Sequence, residues 1–157
     1  ITNYYNIRFL KPYQIPVATT HGDPPWYNDY KGKGHTFFDK RGVINGIREP
    51  LLSCPKENYE NLDEQCSRNC PYMDKIPHCQ FMDLYRKHLN EEVDFNKLIA
   101  KFNFICKHVK DKAKFKEDPQ IILIVYEKST VPCAERPVLV EWFANHGISV
   151  EEFESNV

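Results

Sequence analysis

The residues richest in chemistry lie in one short stretch, Glu127-Lys128-Ser129-Thr130-Val131-Pro132-Cys133-Ala134-Glu135-Arg136. A carboxylate, a thiol and a guanidinium stand there between an apolar run and a helical pattern. Glu127 is suited to move a proton or to hold a ligand hydroxyl. Cys133 is a candidate nucleophile, because a helix start and a nearby arginine both favour the thiolate. Arg136 is a candidate anion partner, since the free N–H groups of a helix start and a two-pronged guanidinium both suit phosphate oxygens. A plainer reading stands beside this one, with Arg136 paired to Glu135 or Glu127 and Cys133 a small helix-start residue. A C-x5-R phosphatase loop is disfavoured, as only two residues separate Cys133 from Arg136.

A second group follows Ile15–Thr20. His21 is another candidate acid or base, Thr20 and Asp23 are candidate polar contacts, and Trp26 is a candidate stacking surface for a base. Tyr27 and Tyr30 extend the aromatic character, and core packing explains all three rings equally well. The third group is Cys54, Cys66, Cys70 and Cys79, spaced C-x11-C-x3-C-x8-C. Four thiolates close a tetrahedral zinc site, and a loop poor in apolar residues gains order from such a clip. His78 is a substitute ligand. Cysteines preceding proline, as at Cys54 and Cys70, also occur around iron–sulfur clusters, so that cofactor is the alternative to zinc. Free structural cysteines and disulfides remain open for the same residues.

These groups need elements to position them. Ile15–Thr20 is short, β-branched and ends in a polar turn, which predicts a strand and a tight loop. Val43–Ile47 suggests another short strand. Phe81, Leu84, Tyr85 and Leu89 share one helical face, and Asp94 is placed to cap a second helix. That helix carries the stripe Phe95, Leu98, Ile99, Phe102, Cys106, Val109 and Ala113. Ile121–Tyr126 lacks polar alternation, as a central strand covered on both faces does. A helix from about Glu135 to His146, ended by Gly147, and an edge strand at Ser149–Phe153 complete the pattern. Alternating strands and helices predict an α/β fold, a mostly parallel, Rossmann-like sheet with flanking helices. Residues 1–157 form one domain, with a cysteine-rich, metal-binding insertion at 50–80. In such sheets ligands collect beyond the carboxyl ends of the strands, here His21–Trp26 and Glu127–Arg136.

The segments IPVATTHGDPPWY and IILIVYEKSTVPCAERPVLVEWFANHGISVEEF resemble the family called domain of unknown function 488. The family pattern of a strand ending in Y-E-K, a cysteine, an arginine and a helix ended by glycine falls on Tyr126, Glu127, Lys128, Cys133, Arg136 and Gly147. Where the family often has Cys-His-Arg, this chain has Cys-Ala-Glu-Arg, so no role of that histidine carries over. The resemblance covers the first thirty and last forty residues. The cysteine-rich middle reads as the insertion of a divergent branch, a viral or phage branch among the candidates. What the resemblance implies is a fold and a site rather than a reaction.

With a formal net charge of −1, 41% hydrophobic and 27% charged residues, the chain is expected to fold and not to bind nucleic acid by bulk charge alone. Lys97, Lys101, Lys107, Lys110, Lys112, Lys114 and Lys116 crowd one helix and its end, which reads first as a solvated face and second as a nucleic-acid track. No run reaches membrane-spanning length, and the cysteine usage suggests a reducing, cytoplasmic setting. There is no signal-peptide pattern, and since the chain starts at Ile1 without a methionine a few residues are expected to be missing. The expected partner is a nucleotide, another small phosphate-bearing ligand or nucleic acid, bound by an enzyme of nucleotide metabolism or by a non-enzymatic binder that sequesters a nucleotide or blocks a host protein. Thiol chemistry at Cys133 is a third reading. The oligomeric state is not legible.

Overall fold

The β-branched and aliphatic segments of this chain collect into a single parallel sheet. The computed structural model describes residues 1–20, 47–55, 80–112, 115–126 and 134–153. Strands β1 (Thr2–Asn3), β2 (Gln14–Ala18), β3 (Ile47–Arg48) and β4 (Gln120–Val125) lie in the order β1-β4-β2-β3. All three pairings are parallel, with Ala18 level with Ile124 on one side and with Arg48 on the other. The α/β class and the central position of the Ile121–Tyr126 run are as the sequence predicts. Its strand is Gln120–Val125, and Val17, Leu123, Ile124 and Val125 are almost fully shielded from solvent. Of the expected strand at Val43–Ile47, only its last residue falls in the described region, where it opens β3.

Side chains alternate across a strand, so each strand supplies two faces. Ile15, Val17, Ile47, Leu123 and Val125 point to one face and join a core with helices α1 (Gln80–Glu92), α2 (Phe95–Lys112) and α3 (Glu135–Asn145). Ala18, Ile122 and Ile124 point to the other, where Tyr4 and Ile7 of a 3-10 turn at Tyr4–Phe9, and Leu10 just after it, cover them. This division follows from connection direction. The path from β3 to β4 runs one way along the sheet and carries α1 and α2; the path from β1 to β2 runs the other way and lies on the opposite face. Crossovers of one hand impose that sidedness.

Local signals explain the helix boundaries. Asp94 accepts the backbone N–H of Lys97 at 3.1 Å, satisfying a donor that the start of α2 would leave unpaired. Gly147 takes φ +83°, and the N–H groups of Gly147 and Ile148 close back on the carbonyls of Ala144 and Phe143. That is a Schellman end for α3, and only glycine adopts its turn without strain. The buried stripe of α2 is Leu98, Phe102, Ile105 and Val109. Compared with the expected stripe it gains Ile105, while Phe95, Ile99 and Cys106 are only partly covered and Ala113 lies outside the described residues.

Ser149–Phe153 was expected as an edge strand, and it is extended chain rather than a strand. Ile1 N nevertheless donates to Glu151 O at 2.7 Å and Phe153 N donates to Ile1 O at 2.8 Å. Alternation of this kind is the parallel hydrogen-bond pattern, so the segment lies beyond β1 at the edge of the sheet.

Candidate functional site at the carboxyl ends of the strands

Neighbouring strands β2 and β4 send the chain in opposite directions. From β2 it proceeds to β3 on one side; from β4 it proceeds through α3 to residues 148–153 beyond β1 on the other. A parallel sheet opens a crevice at the carboxyl ends of such a pair, because the two connections part there. The residues at this point are Thr19 and Thr20 after β2 and Tyr126 after β4.

Thr19 is locked into the sheet, its backbone N–H and its hydroxyl both donating to Ile124 O at 3.1 and 3.0 Å. Thr20, one position on, is 6% exposed, and its hydroxyl shares a 2.6 Å hydrogen bond with the Tyr4 hydroxyl. The Tyr4 ring lies 4.7 Å from the ring of Tyr126, tilted by 49°. On the other flank the Arg48 guanidinium donates through Nη2 to Thr20 O at 3.2 Å. A continuous set results: Tyr126, Tyr4, Thr20, Arg48. Because Ala18 and Ile124 point away from the three helices, Thr20 and Tyr126, two residues further on, do so too; Arg48, next to the inward Ile47, joins them.

The sequence reading named Thr20 but gave Tyr4, Tyr126 and Arg48 no binding role. Tyr126 had a signal, an aromatic residue closing the apolar run. Arg48 had a weaker one, a cation directly after a short β-branched segment. Tyr4 had none, because β1 is two residues long and shows no period. The other candidates, His21, Asp23, Trp26, Glu127 and Cys133, lie outside the described residues.

Arg136 is described, and it is 4% exposed on the helical face, ion-paired through Nη1 to Glu152. Glu152 is a carboxylate that the plainer reading does not name, and Glu127 lies outside the described residues. The start of α3 has Ala134 as an N-cap with no side-chain cap, and the buried Glu135 carboxylate in its first turn. A carboxylate there already meets the positive end of the helix dipole. An incoming anion would have to compete with Glu152 for the arginine and with Glu135 for the helix end.

Other groups of chemical interest lie on the helical side. Cys54 is fully buried among apolar residues of the main core. Among the described residues no group of three His, Cys, Asp or Glu side chains is close enough to hold a metal ion. Cys66, Cys70, His78 and Cys79 lie outside them. Burial pushes the Cys106 thiol above its ordinary pKa, so this cysteine is a poor nucleophile. A cleft of 510 Å³ runs between α2, β4 and residues 148–153, lined mainly by Ile99, Phe102, Ile121, Leu123 and Phe143. Gln14 and Gln120, the first residues of β2 and β4, also line it, so it reaches the amino end of the sheet rather than the crevice. Among the described residues no helix is long and apolar enough to cross a membrane.

No family model, curated protein or solved structure matches this chain.

Proposed function

We propose that this protein binds a nucleotide or another small phosphate-bearing ligand at the carboxyl ends of β2 and β4, within a Rossmann-like α/β domain of the kind that domain of unknown function 488 implies. The observation that carries the reading is the parting of the chain between these two neighbouring strands, the position at which ligands collect in open parallel sheets, here at Thr20 and Tyr126. Arg48 beside Thr20 O adds a cation suited to phosphate oxygens. His21, Asp23 and Trp26 follow β2 in sequence and Glu127 follows β4, and they belong to the proposal as acid, base or ligand contacts. Arg136 is a weaker phosphate partner than its sequence position suggests, because Glu152 already holds it.

A zinc ion held by Cys54, Cys66, Cys70 and Cys79 is part of the same proposal. The spacing supports it, and the inward placement of Cys54 means that the metal would sit against the core. The experiment that tests both parts is mass spectrometry of the native protein and of molecules released on denaturation. A phosphate-bearing compound released from the protein supports the ligand reading. Failure of phosphate-bearing probes to perturb the Thr20 and Tyr126 amide resonances would overturn it. About one zinc per chain is expected if four thiolates close one site, whereas intact disulfides among the same cysteines would exclude the clip.

A further inference from the structure

Strand β1 is shorter than the edge of β4 that it covers. Its register sets Thr2 beside Ile124 and Asn3 beside Val125, so among the described residues no strand pairs with residues 120–123 on that side. Residues 148–153 lie one strand position further out, joined to Ile1 through Glu151 O and Phe153 N. The 510 Å³ cleft is the position left open between them and the amino half of β4. All of its lining residues are described, and Ile1, next in line before β1, closes its inner end. We infer that this cleft takes one extended peptide segment of a partner protein, added as a strand between β4 and residues 149–151.

The backbone favours a strand over other occupants. Gln120 N donates to Tyr13 O at 2.8 Å and Thr19 N to Ile124 O at 3.1 Å, so Gln120 and Ile124 bond towards β2. A parallel ladder alternates its bonds between neighbours, which turns the N–H and C=O of Ile121 and the N–H of Leu123 towards the cleft. On the far wall Glu151 O and Phe153 N bond inwards to Ile1, and Ser149 is in phase with them. An added strand therefore meets donors and acceptors on both sides, the groups from which strand addition gains its affinity. The size agrees. A strand residue with its share of the packed layer fills roughly 160 Å³, from a rise of about 3.3 Å, a strand spacing of about 4.8 Å and a layer spacing of about 10 Å. The cleft thus holds about three residues, level with Gln120, Ile121 and Ile122. A residue level with Ile121 shares its side of the sheet, where Ile99 and Cys106 of α2 also line the cleft. All three side chains are only partly covered, so an apolar residue suits that level. No cationic side chain lines the cleft, whereas Glu151 and Glu152 do, so the phosphate-bearing ligand proposed above does not suit it.

The test uses the intact protein and the blocked peptide acetyl-Thr-Val-Thr-Ile-Thr-amide, which sets its apolar side chains on one face of a strand. With the peptide at about ten times its dissociation constant, hydrogen exchange at the Ile121 and Leu123 amides should slow about tenfold, since only the free form exchanges there. The same peptide N-methylated at valine and isoleucine keeps the side chains and loses two donors. It should bind about tenfold more weakly or worse. Ile99→Lys puts a charge against the apolar side of the cleft and should abolish the protection, whereas Lys107→Ala should leave it unchanged. The inference fails if the peptide gives no protection, or if its N-methylated form binds equally well, which would make the cleft a pocket for any apolar molecule. It fails too if both amides are already protected in the protein alone, because the chain itself would then fill the position. The N-methylated peptide decides the matter even if Ile99→Lys does not fold.

Discussion

Two arginines among the described residues, Arg136 and Arg48, invite a binding role and sit on opposite faces of one sheet. Arg136 stands in the first turn of α3 on the helical face, 4% exposed and ion-paired with Glu152. Arg48 ends β3 on the other face, half-buried, and donates to the backbone carbonyl of Thr20. Helix-start chemistry makes Arg136 look like the ligand arginine. Packing gives it a carboxylate partner, because a buried guanidinium needs one and α3 lies where Glu152 can supply it.

The largest expected effect breaks the helical face directly. Leu139 is fully buried in the core that joins α3 to the sheet, so Leu139→Ala should cost about 2–5 kcal/mol in chemical denaturation. A loss under about half a kcal/mol, the size of a surface substitution, would show that α3 does not pack as described. Next comes Arg136→Ala, which removes one partner of a pair whose other member is 34% exposed. Water can take over part of the Glu152 charge, so the loss should be about 1–3 kcal/mol, below that for a fully buried pair. An unchanged unfolding midpoint together with lost ligand binding would reverse the roles assigned to the two arginines.

Tyr85→Phe sharpens the comparison within the helical layer. Its hydroxyl donates to Leu52 O from a fully buried position, and removing it leaves that carbonyl short of a partner. A loss of about 1–3 kcal/mol is expected from the unfolding midpoint. Smaller still is Lys107→Ala, an exposed position on α2, which should change stability by no more than about 0.5 kcal/mol and leave ligand binding intact. A marked binding defect there would move the site to the basic helix. Cys106 should resist alkylation in the folded protein near neutral pH, because its raised pKa keeps the thiol protonated and its partial burial limits access. Peptide mapping after brief iodoacetamide treatment checks this, and labelling as fast as in urea would contradict it.

Much of the architecture was legible from pattern. The unbroken apolar run at Ile121–Tyr126 could be satisfied only by cover on both faces, and it is the inner strand β4. Asp94 and Gly147 marked helix ends through requirements of the backbone itself, a donor to satisfy and a positive φ to adopt. Such features depend on a few adjacent residues, so a sequence states them in full. β1 was missed for the complementary reason: two residues have no period, and their strand state comes from pairing with Ile124 and Val125.

The candidate site divides in the same way. Sequence alone determined that β2 and β4 end on the same side of the sheet, because parallel strands joined by crossovers must do so. Which side chains meet there was a tertiary matter. Tyr4 reaches Thr20 across a separation of 16 residues and Arg48 reaches it across 28, contacts that exist only once the sheet has formed. The Glu152 that occupies Arg136 lies a helix and a turn away in sequence, and only the return of the chain along the sheet edge brings it near. Local propensity is encoded residue by residue, whereas the pairing of charges and rings is a property of the assembled sheet.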